Sequence, residues 1–243
     1  MSNILDFGPI YTSTGTILQI NYAQKCADNG STCIAIKTKQ GIVLAVEKPI
    51  TSPLYTNKEN SRIKKFTDTC YTTYSGLLTD GFCIYNLVKK ECYSYIEDVE
   101  KDISPAMVKK LLSSYLSFFT VYMGCRPSGC NFITVIVYNN EPFILGSQSS
   151  SLTSYYKAHA IGKGSARCKT ELEKLDFQNM SVSQMIEHAV RIMYKSYDPL
   201  KDKEFDIEII YAEEKDKYTF KEVDGNTLSE IVEKYKNLSV DDD

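Results

Sequence analysis

The chain has 243 residues, 43% of them hydrophobic and 24% charged, enough to bury roughly 70–75% of its unfolded surface without disulfide or metal staples. Its net charge of −3, from 28 basic and 31 acidic side chains, excludes the basic surplus of a nucleic-acid binder. No run of 18 apolar residues offers a membrane-spanning helix and no leader pattern opens the chain, so an intracellular, reduced, soluble protein is expected.

Residues 1–13 lack periodicity and hold Gly8 and Pro9, which reads as a loosely ordered arm. Thr14 or Thr16 then precedes Ile17, Ile20, Ala23 and Ala27. That spacing predicts a helix over 16–29, with a hydroxyl cap and Gly30 as its stop. Thr32–Lys37 and Ile42–Glu47 form a β-hairpin pattern around a loop containing Gly41. A second strand pair is expected over Ile63–Phe66 and Cys70–Ser75.

Two long helices follow. The first covers Asp80–Tyr95, and the second starts at Ser104-Pro105, a hydroxyl cap with proline in the first turn, and runs to Gly124. Asn131–Tyr138, Phe143–Leu145 and the residues around Ser154–Ile161 read as strands. A second helix pair occupies Ser165–Leu175 and Val182–Tyr197, with Pro199 blocking extension. Phe205–Tyr211 and Tyr218–Val223 are read as paired strands, and Thr227–Leu238 as a last helix before the acidic tip at 239–243. Strand blocks alternate with helix pairs, and no linker-like tract divides them. The expected architecture is a single α+β domain over 1–243, a four-layer α/β/β/α sandwich.

The eight cysteines show no CxxC spacing, and His159 and His188 are the only histidines. Neither pattern makes a zinc site. Cys33, Cys70, Cys83 and Cys130 lie in apolar runs, where buried structural thiols are expected.

Several segments carry a family resemblance. Gly15-Thr16-Ile17-Leu18-Gln19-Ile20-Asn21-Tyr22-Ala23 resembles the G-R-x-x-Q-V-E-Y-A signature of 20S proteasome alpha-type subunits. Gly30-Ser31-Thr32 follows at the family's distance. Ser75-Gly76-Leu77-Leu78-Thr79-Asp80 is similar to its S/A-G-L-x-A-D turn, and Arg126-Pro127-Ser128-Gly129 to its R-P-[YF]-G. Ala160-Ile161-Gly162-Lys163, Lys169–Leu175, Lys201–Phe205 and the acidic tail resemble the alpha type-3 branch, which takes the seventh ring position.

The resemblance implies the sandwich fold of the N-terminal-nucleophile hydrolases without its chemistry. In that fold the nucleophile is a threonine freed by cleavage after glycine, and its own amine serves as base. Here Gly30-Ser31 takes that place, but the helix over 16–29 stays attached and Glu47 replaces the aspartate of active members. A self-processing peptidase using Ser31 is the rival reading, and a free-standing RNA-binding module is a third.

The implied function is a non-catalytic ring subunit in ATP- and ubiquitin-dependent protein degradation, without cofactors, in cytoplasm and nucleus. Its implied partners are the other alpha subunits of a seven-membered ring, the adjacent beta ring and the tails of proteasomal ATPases or other activators. It would contact neither nucleic acid nor membrane. Tyr11, Gly15, Ile17, Ile20 and Tyr22 fall in the gate and ring contact. The arm departs from the family's pattern at Ile4-Leu5-Asp6, Ser13 and Asn21. Lys64, with Lys65 as alternative, falls where a lysine meets the carboxylate of an activator tail; a solvated strand edge is the other reading. Arg126, Pro127 and Gly129 fall on a loop facing the channel. Ser239, ahead of three aspartates, is a candidate phosphate acceptor. Lys163 and Lys169 read as flanking a helix start.

Overall fold

Alternation of side chains across two antiparallel sheets organises the molecule. The computed structural model describes residues 8–52, 54, 60–199 and 202–236; the expectations for Ile4-Leu5-Asp6, Lys201, Ser239 and the acidic tip lie outside them. In the first sheet, β1 (Cys33–Lys37) and β2 (Gly41–Pro49) form the hairpin read from the sequence. β8 (Ala158–Ile161) adds to β1, β9 (Phe205–Glu213) to β2, and β10 (Lys221–Glu222) to β9. The second sheet runs β3 (Lys64–Thr67), β4 (Cys70–Gly76), β5 (Cys130–Tyr138), β6 (Glu141–Ser147) and β7 (Thr153–Tyr156).

Successive residues of a strand face opposite sides, and this period of two divides the core. Cys33, Ala35, Ile42 and Leu44 meet Ile133, Val135 and Ile144 between the sheets. Their neighbours Ile34, Ile36, Val43 and Ala45 turn outward under α4 (Ser165–Leu172), α5 (Val182–Ser196) and α6 (Gly225–Lys236). On the other side Phe132, Ile136 and Leu145 pack beneath α2 (Leu78–Val99) and α3 (Pro105–Val121). The result is the four-layer sandwich. α1 (Leu18–Asp28) crosses one end of it, against β4 and β5.

Several expectations are corrected. The stretch Ser154–Ile161 is two strands, because the chain leaves the second sheet after Tyr156 and enters the first at Ala158. Tyr218–Val223 contributes only two residues of strand; Tyr218 has a left-handed backbone, and its buried ring donates its hydroxyl to the Lys39 carbonyl at 2.9 Å. α3 ends at Val121, short of Gly124. Cys83 is exposed, because its place on α2 points away from the sheet that buries Ile84 and Val88. The N-terminal cap of α1 is Ile17, with no side-chain hydrogen bond. The hydroxyls of Thr14 and Thr16 bond instead to that of Thr12, at 2.8 Å each.

Candidate functional site

The junction between α1 and β1 is sealed by close backbone packing. A side chain on Gly30 would stand 2.0 Å from the Gly76 nitrogen, so only glycine permits the approach of these two segments. Ala27 is fully buried and its carbonyl accepts from the Ser75 hydroxyl at 3.0 Å. Ser31, only 9% exposed, therefore sits in mid-chain with an amide nitrogen. An amide has no basic lone pair, and the base required by an N-terminal nucleophile does not exist there.

The space beside Ser31 holds an ionic bridge. The Thr32 nitrogen donates to Glu47 Oε2 at 3.0 Å, and Lys163 Nζ lies 3.0 Å from Glu47 Oε1 and 3.1 Å from Asp202 Oδ1. Burial alone would pull the Lys163 amine down, but the two carboxylates outweigh it and raise it above its ordinary value. The Lys163 nitrogen donates to the Gly30 carbonyl at 2.9 Å, and the Gly164 nitrogen to Thr32 Oγ1 at 3.2 Å. Lys163 thus pins β1, β2 and the segment before β9 together. It borders two cavities, of about 290 and about 450 Å³.

The larger cavity is lined by Gly30, Ser31, Lys48, Asn60, Arg62, Gly76, Leu78 and Lys163 among others. Its lining includes neither Lys64 nor Lys65. Those two start β3, where Lys65 pairs with Asp68 across the tight turn. Arg62 supplies a guanidinium in their stead and donates to the Tyr74 carbonyl at 3.2 Å. Its backbone nitrogen is held by Glu208 Oε2 at 2.7 Å, and the same carboxylate lies 3.8 Å from Lys48 Nζ. Arg62, Lys48 and Lys163 thus place three cations at the cleft, each engaged by a carbonyl or carboxylate of the chain.

On the opposite side of Gly76, the loop ahead of β5 is clamped to α2. Arg126 grips Asp80 with both terminal nitrogens, at 2.5 and 2.7 Å, and the Gly129 nitrogen donates to Asp80 Oδ2 at 2.9 Å. Burial pushes the Asp80 carboxyl up, but these hydrogen bonds outweigh burial and hold it below its ordinary value. Pro127 stands between the two anchored residues. The loop is a rigid bracket.

Tyr11 and Tyr22 are exposed at 72% and 46%, Ile17 and Ile20 are half-buried, and Gly15 has an open surrounding with φ of 78°. α1 fully buries only Ala23 and Ala27, while Ile17, Leu18 and Ile20 are partly covered and Tyr22 is exposed. Reading the sequence missed two groupings. Asp80 and Arg126 lie in separate motifs 46 residues apart, and their pairing has no local signal. Lys163 was read only as flanking a helix, although its place directly after Gly162, beside the first strand, was a usable hint.

A profile of the family described as Proteasome subunit matches residues 27–211. The chain is 40% identical over 243 residues to a probable proteasome subunit alpha type-7 of Encephalitozoon cuniculi, covering 100% of both chains. It is 32% identical to the proteasome subunit alpha type-3 of Acanthamoeba castellanii, across 96% of this chain and 92% of that one. With the alpha type-3 subunit of Arabidopsis thaliana the identity is 34%, across 90% and 88%.

Proposed function

Since this chain belongs to the proteasome subunit family, as a non-catalytic alpha-type member that assembles with other proteasome subunits, we propose that it takes the seventh place in the seven-membered outer ring of the 20S core. The observation that carries this reading is the attached α1. It closes off Ser31 as a nucleophile and offers Ile17, Ile20 and Tyr22 as ring contacts. The names of the relatives, alpha type-7 and alpha type-3, support the same branch. Tyr11 and Gly15 belong on this reading to the axial gate, and the Arg126-Pro127-Ser128-Gly129 bracket to the channel wall. Its inner neighbours are beta subunits, and it works in cytoplasm and nucleus. Ser239, outside the described residues, is its proposed phosphate acceptor.

The cleft beside Gly30 and Gly76 is the proposed seat for the C-terminal carboxylate of an activator tail. Spacing in the sequence favoured Lys64 or Lys65 as its cation; the lining of the cleft favours Arg62. A point charge on a strand edge gains little from its surroundings, whereas a guanidinium in a walled cleft can grip a carboxylate with two bonds.

The test is purification of the native complex, followed by mass spectrometry of its subunits and by binding of an activator-tail peptide to complexes carrying Arg62→Glu, Lys64→Glu or Lys65→Glu. The expected result is copurification with proteasome subunits, a chain still attached ahead of Ser31, and peptide binding weakened at least tenfold, about 1.4 kcal/mol, by Arg62→Glu alone. A chain trimmed to Ser31 that hydrolyses peptides unaided would overturn the ring assignment. Loss of binding with Lys64→Glu or Lys65→Glu, but not with Arg62→Glu, would return the seat to the β3 edge.

A further inference from the structure

We propose that Cys83 and Cys125 form an oxidation-sensitive dithiol, which peroxide closes into a disulfide tying the start of α2 to the loop ahead of β5. Both residues line one cavity of about 200 Å³, with Ile84, Phe119 and Arg126. Two further observations fit this placement. Asp80 and Cys83 are three residues apart on α2, and so lie on one face a turn apart. Arg126 clamps Asp80 through both guanidinium nitrogens, which ties the segment carrying its neighbour Cys125 to the start of α2. Cys83 is exposed and Cys125 half-buried, so a small oxidant reaches both.

Two other thiols lie near the bracket: Cys26, half-buried like Cys125, and Cys130, which does not share this access. Cys26 packs its sulfur against Gly129, and Cys130 is fully buried beside Ser128. Oxidation proceeds through the thiolate. Burial pushes the Cys130 thiol up to about 12, so it stays protonated near neutrality. Exposure separates the pair in the cleft from Cys130, and the cavity that Cys83 and Cys125 share separates it from Cys26.

The chemistry balances with hydrogen peroxide as oxidant. One thiolate attacks an oxygen of the peroxide; an S–O bond forms, the O–O bond breaks, and hydroxide leaves to be protonated to water. The second thiolate then attacks the sulfenyl sulfur; the S–S bond forms, the S–O bond breaks, and a second water departs. Two thiols are oxidised and one peroxide is reduced. Closure demands Cα atoms within about 7 Å, so the reaction itself reports the proximity.

The full-length chain, with Cys83→Ser and Cys125→Ser variants of matched thermal midpoint, is treated with hydrogen peroxide. Free thiols are then blocked, and peptides are mapped without reduction. In parallel each protein is titrated with phenylarsine oxide, which bridges only neighbouring thiols. The proposal expects a single linked peptide pair joining Cys83 to Cys125, reversed by a reductant and absent from both variants. It also expects one tightly held arsenical on the wild type and a loss of at least tenfold in its retention by either variant. Oxidation of Cys83 to sulfinic or sulfonic acid with Cys125 untouched would overturn it. So would a link from either residue to Cys26 or Cys130, or equal arsenical retention by all three proteins. These readouts concern the chain alone, so their failure leaves the ring assignment standing.

Discussion

Helices α1 and α5 are built from similar material and used in opposite ways. α5 buries Val182, Met185, Ile186, Ala189, Val190, Ile192, Met193 and Tyr194 against the first sheet. Its first turn is closed by a capping box: the Gln184 nitrogen donates to Ser181 Oγ at 3.3 Å, and the Ser181 nitrogen to Gln184 Oε1 at 2.9 Å. α1 has no side-chain cap, buries two alanines, and leaves Ile17, Leu18 and Ile20 half-buried and Tyr22 exposed. Burying a large apolar side chain is worth about 1.5–3 kcal/mol, and α5 gains that term several times within its own chain. α1 gains less of it there, since its large apolar side chains are only partly covered. The difference separates a helix that stabilises the subunit from one whose apolar face is available to neighbours, as the ring assignment requires.

The largest effect that tests this contrast is truncation in each helix. Ile192→Ala removes a fully buried side chain and should lower the stability of the free chain by about 2–5 kcal/mol. Ile20→Ala should cost the free chain less than about 1 kcal/mol, since its surroundings there are partly solvent. It should nevertheless reduce incorporation into the native complex. Urea unfolding of the isolated chains and size-exclusion of the expressed complexes measure the two quantities. Equal destabilisation by the two substitutions would break the contrast.

The same division explains what could be read in advance. Helices α3 and α5 were legible from apolar spacing within one stretch of sequence, and α3 also from its serine cap; Ser104 accepts from the Met107 nitrogen at 3.2 Å, as its place before Pro105 predicts. The β-rich runs Thr32–Lys37 and Asn131–Tyr138 likewise announced strands of a two-sheet core. Local pattern failed where partners are distant in sequence. Nothing within Ser154–Ile161 tells that Ser154 pairs with Gly146 and His159 with Ala35 in different sheets. Nothing near Lys163 names Glu47 and Asp202. Arg62 shares a basic cluster with Lys64 and Lys65, and counting from Asn60-Ser61 selects Lys64; the meeting of β1, β4 and the 60–62 segment shows that Arg62 is the member of that cluster bordering the cleft.

A middle-sized effect concerns the ionic anchoring between α4 and α5. Glu171 Oε1 lies 2.6 Å from Lys174 and 3.2 Å from Lys195, and Oε2 lies 3.5 Å from Arg191. Lys174 foremost, with Lys195, holds the Glu171 carboxyl below its ordinary value of 4.5. A carboxylate whose folded value is depressed stabilises the fold above its unfolded value and loses that contribution as pH falls through the folded one. Glu171→Gln should therefore cost about 1 kcal/mol near neutrality, since the lysine ends are solvated. Wild type and variant should converge as pH drops below 4.5. Thermal midpoints across the acid range decide it: a gap that stays constant would mean that packing of the side chain, not its charge, carries the effect.

The smallest effect is the sharpest discriminator, because it removes one hydroxyl from each helix start and changes little else. At α5 the hydroxyl of Ser181 satisfies a backbone donor that has no partner within the helix, so Ser181→Ala should cost about 0.5–1 kcal/mol. At α1 the hydroxyl of Thr16 bonds, among the described residues, to threonines of the exposed turn before it, and the helix cap shows no side-chain hydrogen bond. Thr16→Ala should leave the free chain within about 0.5 kcal/mol of wild type. Urea midpoints of the two single variants, with parallel slopes, give the comparison directly. A loss at Thr16 as large as that at Ser181 would mean that its hydroxyl caps α1 in solution after all. α1 would then be held by its own chain more firmly than its geometry implies, and its exposed apolar face would no longer be the natural place to look for a neighbour.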